Sequence, residues 1–173
     1  MVLFWYFLLY SFIGFLLEVV FAWATAGRSQ RKCLLILPLC PVYGLGACLI
    51  IGAVGHITHP LPLFCLGAVL STACEYIMAA FYEDVLLVRF WDYSHLPFNI
   101  HGRVCLPFSL AWGLLSVPLV RWLHPAVAAA PFSPPLPLTA LAAASVAADA
   151  VVSALLLRHF RTRDALDWYL RRA

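Results

Sequence analysis

The sequence is poor in charge. Asp, Glu, Lys and Arg make up only 11% of it, against roughly 25% in an average soluble domain. That scarcity excludes an ordinary solvated surface. There is no basic stripe to grip phosphates, so nucleic acid is excluded as a partner. The six cysteines, Cys33, Cys40, Cys48, Cys65, Cys74 and Cys105, contain no C-x-x-C pair and most lie in apolar runs. They read as small buried hydrophobes, so neither a disulfide framework nor a metal site is expected. No cofactor motif is present. H-E-x-x-H and G-x-S-x-G are absent, no nucleophile–base pair is legible, and an enzyme is not the favoured reading. The phosphate loop G-x-x-x-x-G-K-[ST] is missing too. No internal repeat appears, so an inverted-repeat transporter is not supported.

What the chain has is hydrocarbon. It is 64% hydrophobic with a mean hydropathy of +0.93. The pattern predicts an all-α, polytopic membrane helix bundle forming a single domain over residues 1–173. About five spans fit that length, at 2–26, 43–58, 61–88, 104–123 and 136–157, with a tail at 159–173. A signal peptide competes for the first run, since Ala22-Trp23-Ala24 resembles a cleavage site. No basic residue precedes that run and it is too long for an h-region, so a span is expected. Gly44, Cys48, Gly52 and His56 recur every fourth residue, a stripe that lets helices approach closely. Ser109, Gly113 and Ser116 do the same in the fourth span, which Pro118 is expected to kink. Residues 124–137 read as a proline-rich loop, and the tail as a short amphipathic surface helix.

Residues 91–112 hold most of the polar chemistry. Asp92, Tyr93, Ser94, His95, Asn99, His101, Arg103 and Ser109 are interrupted by Pro97 and Gly102 and edged by Trp91 and Trp112. Such a stretch before the fourth span is either a juxtamembrane loop with belt aromatics or a re-entrant segment. Asp92-Tyr93-Ser94 has the form of an Asx turn, so Asp92 is expected to organise the loop rather than react.

Three acids interrupt the apolar runs: Glu18, Glu75 and Asp149. Each costs roughly 2.5–3.5 kcal/mol at mid-helix on insertion scales, which a dozen large apolar residues offset. Acids on three helices suggest one shared polar centre; the competing reading is helix glue. Arg103 opens the fourth span and its planar fork matches a carboxylate. It is expected to join the centre by pairing with Glu75 or Glu18.

Orientation follows from the basic residues. With the N-terminus outside, Arg28, Arg31, Lys32, Arg89, Arg103, Arg158, Arg161, Arg163, Arg171 and Arg172 fall on the cytoplasmic side. Arg121 alone falls outside. The positive-inside rule then predicts an outer N-terminus and a cytoplasmic C-terminus in the plasma membrane.

Several segments carry a resemblance. They are Tyr10-Ser11-Phe12-Ile13-Gly14 with Glu18, Cys40-Pro41-Val42-Tyr43-Gly44-Leu45-Gly46, Glu75, and Ser109-Leu110-Ala111-Trp112-Gly113. The most specific is the run Trp91-Asp92-Tyr93-Ser94 followed by Asn99, Gly102-Arg103 and Cys105-Leu106. Over residues 10–113 the chain resembles the ABC-transporter type IV (CmpB-type) integral membrane protein family. The resemblance implies a permease-like component of a transport system with a small-molecule substrate. Because the chain lacks a phosphate loop, its ATPase would be a separate subunit. The bilayer is the other expected partner, and formation of an oligomer is left open. Two alternatives stand. One is a membrane-embedded enzyme acting on a lipid or small anionic substrate through Asp92, His95, His101 and Arg103. The other is a non-catalytic regulatory or assembly subunit.

Overall fold

Apolar runs of 24–25 residues dominate the architecture. The computed structural model describes residues 1–26, 33–54, 56–130 and 132–167. Helix α1 covers Val2–Ala26, α2 Pro41–Val54 and α3 Pro60–Asp84. A short hairpin follows, with β1 at Asn99–Ile100 and β2 at Val104–Cys105. Then come α4 at Leu106–Pro118, a π turn at Leu119–Leu123, α5 at His124–Ala129 and α6 at Leu136–Phe160. Among the described residues, four helical stretches are long and apolar enough to cross a bilayer: α1, α3, α4 continued through α5, and α6. Their outward faces expose large apolar side chains, Trp23, Leu114 and Leu141 among them. This is the surface of a helix bundle dissolved in lipid rather than water.

The helices pack in chain order, α1 on α2, α2 on α3 and α3 on α4. Small residues set these contacts. A Cβ on Gly14 would collide with the ring of Tyr43, so α1 and α2 touch backbone to side chain there. On the α3–α4 face, Thr72 Oγ1 donates to Ser109 Oγ at 2.8 Å, and Ser116 lies against Gly67. Such close approach is how helices associate where lipid is as apolar as leucine. The stripe expected along α2 serves only its first half. Gly44 abuts Ser11 and Phe7, while Gly52 has open space around it.

The second span differs from expectation. Instead of residues 43–58, the helix is Pro41–Val54, 14 residues long. At 1.5 Å per residue that is about 21 Å, short of a hydrocarbon core of about 30 Å. The reason lies just before it. Cys40 donates its backbone N–H to Ser11 O at 2.9 Å, and Ser11 sits about 14 Å along α1. Near the middle of α6, Asp149 receives Ile36 N–H at 3.0 Å and Leu37 N–H at 2.8 Å. Residues 33–40 thus re-enter the bundle as irregular backbone, with Cys33, Leu35 and Cys40 buried. Non-helical backbone at that depth persists only when protein supplies its hydrogen bonds.

Other boundaries move for local reasons. The third helix ends at Asp84, not 88, with Val85 N–H closing on Phe81 O. The fourth continues past 123. Pro118 keeps helical dihedrals and the ladder widens into the π turn after it, which carries the chain on to Ala129. The expected loop at 124–137 shrinks accordingly. The tail forms a 3-10 turn at Arg163–Asp167; its last six residues, and Arg28, Arg31 and Lys32, lie outside the described residues.

Candidate functional site

The hairpin positions the polar loop. His101 and Gly102 both have positive φ, 55° and 69°, the sign pattern of the mirror-image turns that match strand twist. Arg103 N–H closes that turn on Ile100 O at 3.0 Å. Gly102 has a second constraint: a Cβ there would sit 2.7 Å from Asp92 Oδ1. Asp92 makes the expected Asx turn, accepting Ser94 N–H at 2.9 Å, and pairs with Arg89 at 3.2 Å. The Ser94 bonds, with Arg89 adding to them, hold its carboxyl below the usual range. Asn99 ties the loop from inside. Its amide donates to Ser94 O and Leu96 O, and its oxygen accepts Gly102 N–H. Trp91 Nε1 donates to Arg103 O at 2.9 Å, and Tyr93 N–H to Gly102 O at 2.8 Å. All six residues of the expected loop motif therefore cooperate in one fold, a surface hairpin with Trp91 packed on the core and one further side chain turned into the bundle.

That side chain is Tyr93. Its ring stacks on Phe108 at 4.8 Å and its hydroxyl donates to Glu75 Oε1 at 3.0 Å. Burial and the neighbouring Glu75 push the Tyr93 hydroxyl pKa far up, so it remains a donor. Trp112 Nε1 donates to the other oxygen of Glu75 at 2.9 Å. Glu75 is buried. Across the gap Tyr43 Oη donates to Glu18 Oε1 at 2.7 Å, and the Tyr43 and Trp112 rings meet edge to face at 5.2 Å. Glu18 and Glu75 thus share one aromatic-framed centre.

Both acids line a cleft of about 690 Å³ between α1 and α4, floored by α2 and α3. Its walls are mostly apolar. Phe21 and Phe108 meet across it at 6.2 Å near one end, and Tyr10 Oη bonds His124 Nδ1 at 2.9 Å near the other. Leu17, Val20 and Leu115 belong both to the lining and to the exposed outer surface. The cleft therefore opens sideways.

Arg103 does not join this centre. Its Nε pairs with Glu83 Oε2 at 2.8 Å, a terminal nitrogen reaches Asp84 at 3.5 Å, and its guanidinium lies 5.3 Å over the Tyr76 ring. Arg89 takes the other Glu83 oxygen at 2.8 Å. The Glu83 bond raises the Arg103 pKa further. The hairpin turn carries Arg103 out to the end of α3, past Glu75. Asp149 is also elsewhere, clamping the re-entrant segment with Ser153 donating to it at 3.0 Å. Of the four expected members of the polar centre, the structure brings together Glu18 and Glu75.

Tyr43 and Trp112 were legible only as parts of motifs, not as partners of the acids. Glu83 and Asp84 had a clearer signal. With Arg89, Asp92 and Arg103 they concentrate five of the chain's nineteen charged residues between positions 83 and 103. Among the described residues no cluster of His, Cys, Asp and Glu could hold a metal ion.

A family model described as Putative ABC-transporter type IV matches residues 5–155. The chain belongs to that family. The match takes in α1 through most of α6, including Asp149, so it reaches well beyond the segments between residues 10 and 113. The cleft, the hairpin and the Asp149 clamp all lie within it. No curated protein and no solved structure matches the chain.

Proposed function

We propose that this transport-related membrane protein is a permease-like component and that the α1–α4 cleft is its substrate site. The observation that carries the reading is the placing of two carboxylates in an apolar hollow of about 690 Å³. Small-molecule sites have this make-up, largely apolar walls with a few convergent polar groups. Acids inside membrane bundles are costly, and mark substrate or ion paths when they face a cavity. Residues 1–173 hold no phosphate loop, and in this reading an ATPase partner supplies nucleotide hydrolysis. In the plasma membrane the N-terminus would lie outside and the C-terminus inside, by the basic-residue asymmetry.

The test is co-purification from native membranes followed by reconstitution. Recovery of an ATPase whose turnover supports flux, with flux lost in Glu18→Gln, is the expected result. A protein that recovers no ATPase and supports no flux would overturn the reading. Orientation is tested separately, with single cysteines at Ala129 and His95 in a cysteine-free background. Impermeant reagent should label the first and not the second in intact cells.

A further inference from the structure

We infer that the cleft binds a lipophilic organic cation, an amine or quaternary onium carrying apolar groups. This deepens the permease reading and rests on it for the identity of the cleft as a substrate site.

The charge of the lining points to a cation. Among the described residues that line the cleft, Glu18 and Glu75 are the only acids, and no Lys, Arg or His accompanies them. The nearby arginines are committed elsewhere, Arg103 and Arg89 to Glu83 on the outer side of α3. An anion would enter a hollow with like charge and no counterion. A cation meets complementary charge in a site where water is scarce.

The aromatic frame points the same way. Tyr43, Trp91, Tyr93 and Trp112 line the same hollow. The faces of such rings attract ammonium and onium groups, by ~2 kcal/mol or more when desolvated. Tyr43, Tyr93 and Trp112 direct their polar hydrogens at the two acids. Those hydrogens are therefore occupied. Phe108 covers one face of Tyr93, and Tyr43 and Trp112 meet edge to face, so a ligand meets the ring surface still turned to the hollow.

The rest of the cleft selects for lipophilicity. Its remaining lining is overwhelmingly apolar, and it opens sideways through Leu17, Val20 and Leu115. In a bilayer that opening faces acyl chains, so a ligand arriving there has partitioned into lipid first. A small hydrated metal ion finds no ligand cluster among the described residues and a lining that is mostly apolar.

The experiment is equilibrium binding of radiolabelled tetraphenylphosphonium to the purified protein in nanodiscs, with neutral triphenylphosphine oxide as competitor. Saturable binding, not displaced by the neutral compound, is expected. Glu18→Gln and Glu75→Gln should each weaken it about tenfold or more, about 1.4 kcal/mol. Glu75 is packed tightly, so a second variant avoids it. Gly46 lines the cleft, and a Cβ on it would meet nothing within 4 Å. Gly46→Phe starts from an unobstructed Cβ, should project its ring into the hollow and should weaken binding about tenfold or more. Equal affinity for the neutral compound would overturn the inference, as would cation binding unchanged by both Gly46→Phe and Glu18→Gln. Flux driven by an ATPase partner without cation binding would sink the cation and leave the permease. Cation binding in a protein with no ATPase and no flux would do the reverse.

Discussion

Trp112 on α4 donates its indole N–H to Glu75 on α3 at 2.9 Å, across an interface where Gly67 and Gly113 bring the two helices close. The bond is asymmetric in what it tolerates. An indole N–H only donates, whereas the Tyr93 hydroxyl on the other oxygen both donates and accepts. Glu75→Gln can keep both bonds by turning its carbonyl to Trp112 and its amide to Tyr93. It should cost less than about 1 kcal/mol in stability. Glu75→Leu leaves two buried donors unpaired and should cost about 1–3 kcal/mol for each. Thermal unfolding in detergent distinguishes the two, and equal losses would show that the carboxylate's charge, not its geometry, is what the interface uses.

Arg103 is predicted to act as the fastening of the hairpin to the end of α3. Its three contacts, Glu83, Asp84 and the Tyr76 ring, need a planar fork. Arg103→Lys should therefore loosen residues 94–102, seen as faster amide exchange there, with α1–α4 exchange unchanged. Arg103→Met and Glu83→Gln should be strongly non-additive in a double-mutant cycle. Arg103→Met and Glu75→Gln should add. Coupling with Glu75 in place of Glu83 would contradict the observed pairing.

The long helices were readable because hydropathy over 20 or more residues is a strong signal. The loop motif was readable because Asx turns and positive-φ glycines have local chemistry. What failed to show were relationships across the chain. Leu34-Leu35-Ile36-Leu37 is as apolar as any span; acceptors far away in sequence, Asp149 at 112–113 residues and Ser11 O on α1, draw it back into the bundle. Glu75 and Glu83 are two turns apart on one helix, and nothing local says which of them Arg103 reaches. The twist of a two-residue turn decides that.

The hairpin should loosen in acid, and Asp92 sets where. Its folded pKa lies below the ordinary 3.8 because its charged form accepts the Ser94 bonds and faces Arg89. A depressed pKa contributes stability that is fully present above the unfolded value. That contribution is lost as pH falls through the folded value. Limited proteolysis of residues 94–102 should therefore be flat from neutral pH down to about pH 4 and accelerate below it. Asp92→Asn should keep the turn, since its amide oxygen still accepts, and should blunt the acid step. An acid step of the same size in Asp92→Asn would overturn the assignment to Asp92.

The strongest single destabilisation is predicted at Asp149, through a segment far from it in sequence. Its two oxygens accept different backbone N–H groups, Ile36 on one and Leu37 on the other, and Ser153 supports the first. Both bonds are to a charged acceptor, the class worth about 1.5–3 kcal/mol each. Asp149→Asn cannot satisfy this arrangement by turning, because either orientation aims an amide N–H at a backbone N–H. It should cost about 1–3 kcal/mol, more than Glu75→Gln although the chemical change is the same. Asp149→Ala loses both bonds and should cost more again. The segment it holds contains Cys33 and Cys40, both buried. In either variant these thiols should react with a small permeant maleimide faster than in the wild type, while Cys74 and Cys105 stay slow. Unchanged reactivity of Cys33 and Cys40 in Asp149→Ala would show that the re-entrant segment is held by its own packing and not by the carboxylate.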